Sequence, residues 1–370
     1  MKIIICGGGT AGHVTPGIAI AEYIKEKSSK SEILFIGRSG GEENLLTKRA
    51  GFNYTTLDVR GFKRSLSPKN ITAVMKMLLS LAKSRKILKD FNPDVVIGTG
   101  GYVTWPVVKA AQCMKIPCMV HESNAFPGLT TRALAKGCDR VLLNYEKCKE
   151  HLKRQDNALT VGNPLRRDLM TCTRGDARKK LKILPSEIFI LSFGGSGGAD
   201  TMNKTILSLM RSYSLPNKRI KHLHATGRKY FSGIKEEFPE LISNFQGCKI
   251  VPFINDMPTY MLASDIVISR AGAMTLSEIS KTSVAPIIIP SPNVTDNHQY
   301  KNAKAYEDVG GGIVIEEKDL TEKRLKKAVD MLVTDKKARE KMAKSAHSLH
   351  VKDSTEMIFK EIERLTEKTF

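Results

Sequence analysis

The sequence predicts an α/β protein built from two doubly wound parallel sheets, and three observations carry that prediction. Short apolar runs of strand type alternate with helical patterns along most of the 370 residues. A strand, glycine turn and helix occur together twice, at Lys2–His13 and again at Phe189–Ala199, each opening a stretch of domain size. Between them, Val161-Gly162-Asn163-Pro164-Leu165-Arg166-Arg167 carries the breakers of a linker. The implied domains are 1–164 and 165–345, with a terminal helical segment, 346–370, whose return to the first domain the sequence leaves open.

In chain order, Lys2-Ile3-Ile4-Ile5-Cys6 reads as a buried strand released through Gly7-Gly8-Gly9-Thr10-Ala11-Gly12-His13 into a helix over Ile18–Lys27. A strand over Ile33–Gly37 and a short helix over Glu42–Ala50 follow. The buried strand Asp94–Gly98 ends in Thr99-Gly100-Gly101-Tyr102. After it come a helix near Pro106–Met114, a strand over Pro117–His121, a helix reaching about Lys136 and a strand over Arg140–Asn144. The second half repeats the pattern with strands at 188–193, 220–226, 248–252, 265–269 and 285–289, and helices at 201–213, 230–237, 257–263 and 274–281. Beyond Glu316 only charged helical patterns remain, the last over Thr355–Lys368.

Composition narrows the functional classes. With 41% hydrophobic and 26% charged residues the chain reads as soluble and globular. It has neither an apolar run of the roughly 18 residues that span a bilayer nor a signal-peptide core, so the expectation is a protein that stays in the cytosol. Seven cysteines, odd in number and without a Cys-x-x-Cys pair, point to reduced thiols rather than a disulfide framework or structural zinc site. A formal charge of +21 favours an anionic partner. Nucleic acid is disfavoured, because aromatic residues are only 6% and no recognition helix or RNA-binding signature is present.

Residues 62–89 hold eight Lys or Arg and no Asp or Glu, and within them Ile71–Ala82 is apolar almost all round. A helix on a sheet needs one apolar stripe, so Met75, Leu78 and Leu79 are left as candidates for a membrane-facing patch rimmed by cations. A thoroughly buried helix with a basic end is the alternative.

Gly7, Gly9 and Gly12 match G-x-G-x-x-G, a backbone cradle for phosphate at a helix N-terminus. A nicotinamide-dependent oxidoreductase would add an acidic residue at the end of the second strand, where this chain has Ile36-Gly37-Arg38. In Asp265–Ile279 a buried strand passes through a small-residue turn into a helix bearing Glu278, placed to accept from ribose hydroxyls or simply to cap the helix. His13, on the first glycine turn, is the candidate general base, with orientation of a pyrophosphate as its other reading. No Asp-x-Asp pair occurs, and no carboxylate or cysteine obviously joins His222 and His224, so no metal site is read.

Seven ordered motifs make a resemblance specific: Gly8–Gly17, Gly98–Val103, His121-Glu122-Ser123-Asn124, Gly162-Asn163-Pro164-Leu165-Arg166, Gly194-Gly195-Ser196, Ser269–Glu278 and Asp296–Ala303. Together they resemble the bacterial peptidoglycan glycosyltransferases of family 28, which add N-acetylglucosamine (GlcNAc) to undecaprenyl-pyrophosphoryl-MurNAc-pentapeptide and so turn lipid I into lipid II. The resemblance implies a GT-B fold of two Rossmann-like domains facing across a cleft, with the donor UDP-GlcNAc held mainly by the second. It implies that Thr10, Ala11 and Gly12 border the donor sugar and the acceptor pyrophosphate, and that Asn124 and Arg166 reach the donor. Ser196 would meet the diphosphate, the backbone around Ile254 the uracil, Ala273, Met274, Thr275, Leu276, Ser277 and Glu278 the phosphates and ribose, and Gln299 the sugar hydroxyls. Ala11, Gly197 and His298 depart from the family's usual glycine, glutamine and glutamine.

The implied reaction inverts the anomeric centre, with no cofactor or metal required. The implied partners are UDP-GlcNAc, lipid I, an anionic membrane surface at the cytoplasmic face and a wall-synthesis complex. Within the same fold, a UDP-GlcNAc epimerase or a glycolipid synthase is the nearest alternative.

Overall fold

A computed structural model describes residues 1–59, 69–242 and 247–368, apart from the side chains of Ala11, Glu42, Met170 and residues 69–75. The chain forms two compact units, one of residues 1–166 with 351–370 and the other of residues 167–350.

The first unit is a seven-stranded sheet of β1 (Lys2–Gly7), β2 (Glu32–Arg38), β3 (Asn53–Leu57), β4 (Val95–Gly100), β5 (Cys118–Glu122), β6 (Arg140–Leu143) and β7 (Ala158–Thr160), in the order β3-β2-β1-β4-β5-β6-β7. Every pairing is parallel, and β1 lies between β2 and β4, with Ile3 opposite Ile33 on one side and Val95 on the other. Covered on both faces, the central strands are continuous apolar runs, and Ile3, Ile4, Ile5 and Cys6 are fully buried.

The second unit has β8 (Ile188–Phe193), β9 (Ile220–Ala225), β10 (Cys248–Val251), β11 (Ile266–Ser269), β12 (Ala285–Ile288) and β13 (Ile313–Val314), in the order β10-β9-β8-β11-β12-β13 and again all parallel. The two orders are the same doubly wound topology. In each, a strand's nearest neighbours in space include one reached by a long crossover, at β1/β4 and at β8/β11. In open α/β sheets that switch point opens the ligand crevice at the carboxyl ends of the strands.

One local device recurs at both switch points. Asp94, before β4, accepts from the Lys2 N–H at 2.8 Å, and Asp265, before β11, accepts from the Phe189 N–H at 2.8 Å. Asp265 is held in turn by Arg174 at 2.7 Å and Arg178 at 3.0 Å. Each aspartate fixes the register in which its glycine turn emerges.

Three strands depart from the sequence reading. β3 (Asn-Tyr-Thr-Thr-Leu) and the three-residue β7 lie on the edges of the first sheet, and β13 is a two-residue edge of the second. Edge strands have no need of the continuous apolar run that marks a central one. The first helix, α1 (Ala11–Lys27), starts seven residues before the periodic segment and contains Pro16, whose missing N–H obscures it in the sequence. The helix read at 201–213 is α-helical over Asp200–Leu209 and passes into a π turn at Met210–Ser214.

The terminal helix Ser354–Thr366 belongs to the first unit. It buries Ile358, Phe359 and Ile362 in one cluster with Ile20 and Ile24 of α1, and Arg140 pairs with Glu361.

Candidate active site

In the first unit the turns after β1 and β4 meet backbone to backbone. The Gly8 N–H donates to the Gly100 carbonyl at 3.2 Å. Gly101 has φ +83°, and a Cβ there would lie 2.0 Å from the Gly8 carbonyl oxygen, so the crossing requires glycine. His13 packs over Gly100, and its Nδ1 lies 3.0 Å from the Gly8 carbonyl and 3.4 Å from the Thr10 hydroxyl. A carbonyl only accepts, so in the neutral imidazole Nδ1 carries the hydrogen and Nε2 the lone pair.

The first glycine turn is not the open phosphate cradle that its G-x-G-x-x-G spacing suggests. The Gly8 N–H is taken by Gly100, and the Gly9 N–H donates to the Glu43 carboxylate at 3.3 Å. Thr10 is the N-cap of α1 but gives it no side-chain hydrogen bond. An anion at this turn would therefore meet the start of α1, at Ala11 and Gly12. Glu43 lies in the short helix α2 (Glu42–Arg49), is 2% exposed, and also accepts from the Arg38 N–H at 3.1 Å. Nothing in the local sequence marks it, because its partners come from two other strand ends.

A second buried carboxylate shapes the loop after β5. Glu122 Oε1 accepts from the Asn124 N–H at 3.1 Å and the Asn124 carboxamide at 2.9 Å; Oε2 accepts from the Gly128 N–H at 2.9 Å and the Thr131 hydroxyl at 2.6 Å. The Asn124 amide is thus held by its NH2 end. His121 is neutral, its pKa lowered by burial, and donates through Nε2 to the Gly162 carbonyl at 2.9 Å. Arg166 is the last residue of the first unit before the chain crosses into the second.

The second unit presents its glycine turn with Ser196 exposed at the tip. Gly198, at φ +71°, leaves no room for a side chain, since a Cβ would fall 2.2 Å from the Thr226 carbonyl. Beneath lies a buried polar chain. The Ser214 hydroxyl meets His222 Nδ1 at 2.9 Å, His222 Nε2 meets the Ser192 hydroxyl at 2.9 Å, and that hydroxyl meets His224 Nδ1 at 2.9 Å. His224 Nε2 then meets Asn203 Oδ1 at 3.1 Å, and the Asn203 NH2 donates to the Thr226 carbonyl at 2.9 Å. The assignment that serves these five contacts has each histidine neutral and protonated on Nε2, with the donors pointing from Ser214 towards Thr226; it leaves the Ser192 carbonyl, 3.1 Å from His224 Nδ1, without a hydrogen from that ring. Burial pushes His222 down to about 3 and His224 down to about 4. Both nitrogens of each ring are thus engaged by the protein.

The turn after β11 is pinned from three sides. Gln299 Oε1 accepts from the Ala271 N–H at 3.2 Å and the Ser291 N–H at 2.9 Å. The Asn302 NH2 donates to the Ala271 carbonyl at 3.1 Å. Arg270 pairs with Glu317 and donates to the Ile289 carbonyl at 3.2 Å. The helix Ala273–Thr282 then starts at Gly272, which has no side chain to cap it. A hollow of about 590 Å³ opens where Pro290, Ser291 and Pro292 meet Asn297, Tyr300 and Glu317.

These contacts refine the expected donor residues. Met274, Leu276 and Ser277 are buried, Leu276 completely, so this stretch offers a ligand backbone rather than those side chains. Ile254 is likewise 5% exposed. Glu278 is in the second turn of its helix and is half-buried, as is Thr275. Gln299 spends its amide oxygen on the protein backbone, which leaves only its NH2 end for sugar oxygens.

The basic helix α3 (Lys69–Phe91) buries Met77, Ser80, Ser84 and Leu88 along one stripe. Leu78 and Leu79 point away from it, 60% and 67% exposed. Lys76 pairs with Asp58, and the Lys83 ammonium donates to the Thr56 carbonyl. Residues 60–68 and the side chain of Met75 lie outside the described residues. Among the described residues no helix is long and apolar enough to cross a membrane.

Two Rossmann-type units of one strand order, each with a glycine turn at its switch point, define the GT-B class of glycosyltransferases and their relatives. The chain belongs to glycosyltransferase family 28, whose N-terminal domain matches residues 3–143 and whose C-terminal domain matches residues 189–358. The UDP-N-acetylglucosamine--N-acetylmuramyl-(pentapeptide) pyrophosphoryl-undecaprenol N-acetylglucosamine transferase of Acetivibrio thermocellus is 43% identical over 97% of this chain and 96% of its own length. The protein of the same name from Clostridioides difficile is 37% identical over 100% of this chain and 90% of its own length. Among solved structures, MurG of Acinetobacter baumannii matches with a TM-score of 0.77 at 24% identity, over 98% of this chain and 99% of that one. The UDP-GlcNAc 2-epimerase of Neisseria meningitidis bound to UDP-GlcNAc matches with a TM-score of 0.66 at 15% identity, over 98% of this chain and 100% of that one. At those identities the structural likeness is one of fold.

Proposed function

We propose that the chain transfers GlcNAc from UDP-GlcNAc to the C4 hydroxyl of MurNAc in undecaprenyl-pyrophosphoryl-MurNAc-pentapeptide, forming lipid II. The observation that carries this is the near-full-length likeness to transferases named for that reaction, at up to 43% identity. The epimerases match in fold alone, at 14–15% identity.

In this reading His13 is the general base. Its Nε2 lone pair takes the proton of the acceptor hydroxyl as that oxygen attacks the anomeric carbon of the donor, and the bond to UDP breaks on the opposite face. The configuration inverts in one displacement. Charge developing on UDP is met by the positive end of the helix that starts at Ala273, the N–H groups around Ser196 and the Arg166 guanidinium, and no step calls on a metal. Ile254 lies by the uracil, Thr275 and Glu278 by the phosphates and ribose, and the hollow lined by Asn297 and Tyr300, on either side of Gln299 in the sequence, supports a sugar pocket there. Thr10, Ala11, Gly12 and Asn124 border the transferred sugar.

The acceptor's polyprenyl chain stays in the bilayer, so the enzyme works at its surface. Leu78 and Leu79, with the cations of α3, are our candidate for the contact with anionic lipid at the cytoplasmic face.

The deciding experiment supplies UDP-GlcNAc with a lipid I analogue. UDP release that requires the acceptor supports the reading. Epimerisation of the sugar, or no donor consumption with acceptor present, overturns it.

A further inference from the structure

We propose that Glu43 is a positioning residue of the transfer reaction, acting on His13 through the peptide group that joins Gly8 to Gly9. The proposal rests on the reading of His13 as the base.

The two relevant hydrogen bonds fall on one peptide. Its N–H, on Gly9, donates to Glu43 Oε1 at 3.3 Å; its carbonyl, on Gly8, accepts from His13 Nδ1 at 3.0 Å. A peptide is planar, with its N–H and C=O on opposite edges, so holding the N–H also aims the carbonyl. Glu43 therefore fixes where the Gly8 oxygen points, and with it which imidazole nitrogen keeps the lone pair. A negative charge on the N–H side also polarises the peptide and strengthens its carbonyl as an acceptor. The chain carboxylate, peptide, imidazole does for His13 what a directly bonded carboxylate does for a catalytic histidine, namely set the tautomer and stabilise the ring once it is protonated.

The carboxylate is built into this place. It is 2% exposed, and its Oε1 also holds the Arg38 N–H at 3.1 Å, so one oxygen ties the end of β1 to the end of β2. A Cβ at Gly8 would come within 2.6 Å of Oε1, and one at Gly41 within 2.0 Å of Oε2. The Tyr54 hydroxyl donates to the Arg38 carbonyl at 3.0 Å, and burial, aided by the Glu43 charge, pushes its pKa above the ordinary tyrosine range, so it stays neutral. A buried carboxylate is costly unless its partners hold it, and an apolar side chain would fill the space at less cost.

Two variants and one spectrum test this. Glu43→Gln keeps an oxygen that accepts both N–H groups but removes the charge; we expect kcat to fall about tenfold, donor KM to move less than about threefold, and the acid limb of the pH profile to shift to lower pH. Glu43→Ala removes both effects and should cost about 100-fold in kcat. In the unmodified enzyme, 15N spectra of the His13 ring should show hydrogen on Nδ1 at neutral pH, a result that does not depend on either variant folding. The proposal is overturned if both variants stay within twofold of the parent kcat, or if the parent His13 carries its hydrogen on Nε2. Its failure is distinguishable from failure of the base reading, which is tested by His13→Ala. If His13→Ala keeps its turnover the base role falls, while the ring spectrum of Glu43→Gln still reports whether the carboxylate sets the tautomer.

Discussion

His224 Nε2 lies 3.1 Å from Asn203 Oδ1, wholly inside the second unit, and that contact continues a chain of donors beginning at Ser214. Asn203→Ala would strand a buried N–H on His224 and a buried carbonyl on Thr226. The expected cost is about 1–3 kcal/mol, read from the urea midpoint at neutral pH. A loss below about 0.5 kcal/mol would show that the chain contributes little to stability.

The same network predicts how stability depends on pH. His222 and His224 titrate at about 3 and about 4 in the folded protein, against 6.5 for an ordinary histidine. Between these values the unfolded chain binds protons that the folded one refuses, so the stabilisation is fully present above pH about 6.5. It is lost progressively as pH falls towards 4 and then 3. Urea midpoints should drop across that window in the parent and drop less in His224→Leu; equal slopes would remove the histidines as the cause.

Replacing His13 with alanine should leave UDP affinity within about threefold of the parent, as measured calorimetrically. Turnover should fall by about 100-fold to 10,000-fold, the usual range for a lost general base. A variant keeping most of its activity would take His13 out of that role.

Gly101→Ala tests the same corner without touching a polar side chain. The new methyl would stand 2.0 Å from the Gly8 oxygen at φ +83°, so the backbone that receives the His13 hydrogen bond must move. We expect turnover to fall at least tenfold while UDP binding, assigned mainly to the other unit, changes less than about twofold. Equal loss of both would mean that the substitution disrupts folding rather than the turn.

Leu78→Ser with Leu79→Ser should weaken flotation with vesicles containing anionic lipid, since each exposed leucine offers about 1.5–3 kcal/mol on full burial. UDP affinity should be unaffected. Unchanged flotation would reject this part of α3 as the contact.

What could be read in the sequence follows from where each signal originates. Ile3–Cys6, Val95–Ile97 and Ile188–Leu191 announce themselves because strands covered on both faces must be apolar throughout. β3 and β13, with an unpaired edge each, carry no such constraint and look like loop. The glycine turns are legible because a backbone crossing such as Gly101 on Gly8 admits no side chain. Glu43 and Glu122 are not legible in that way. Glu43 is one acid among many in the sequence, distinguished only by the N–H groups that folding brings to it from the ends of β1 and β2, and Glu122, though it stands in a motif, shows its role only through Asn124, Gly128 and Thr131 of the loop that follows it. The motif around Glu278 overstates its side chains for a related reason: a helix start serves a ligand through its backbone, while Leu276 faces the core.

The last helix has a consequence for how the protein is made. Ile358, Phe359 and Ile362 close the apolar stripe of α1, yet they leave the ribosome after the whole second unit. The unit begun first is therefore finished last. Its nascent sheet must wait, with Ile20 and Ile24 uncovered, through the synthesis of more than half the chain, which makes this interval the time when the newborn polypeptide most needs a chaperone.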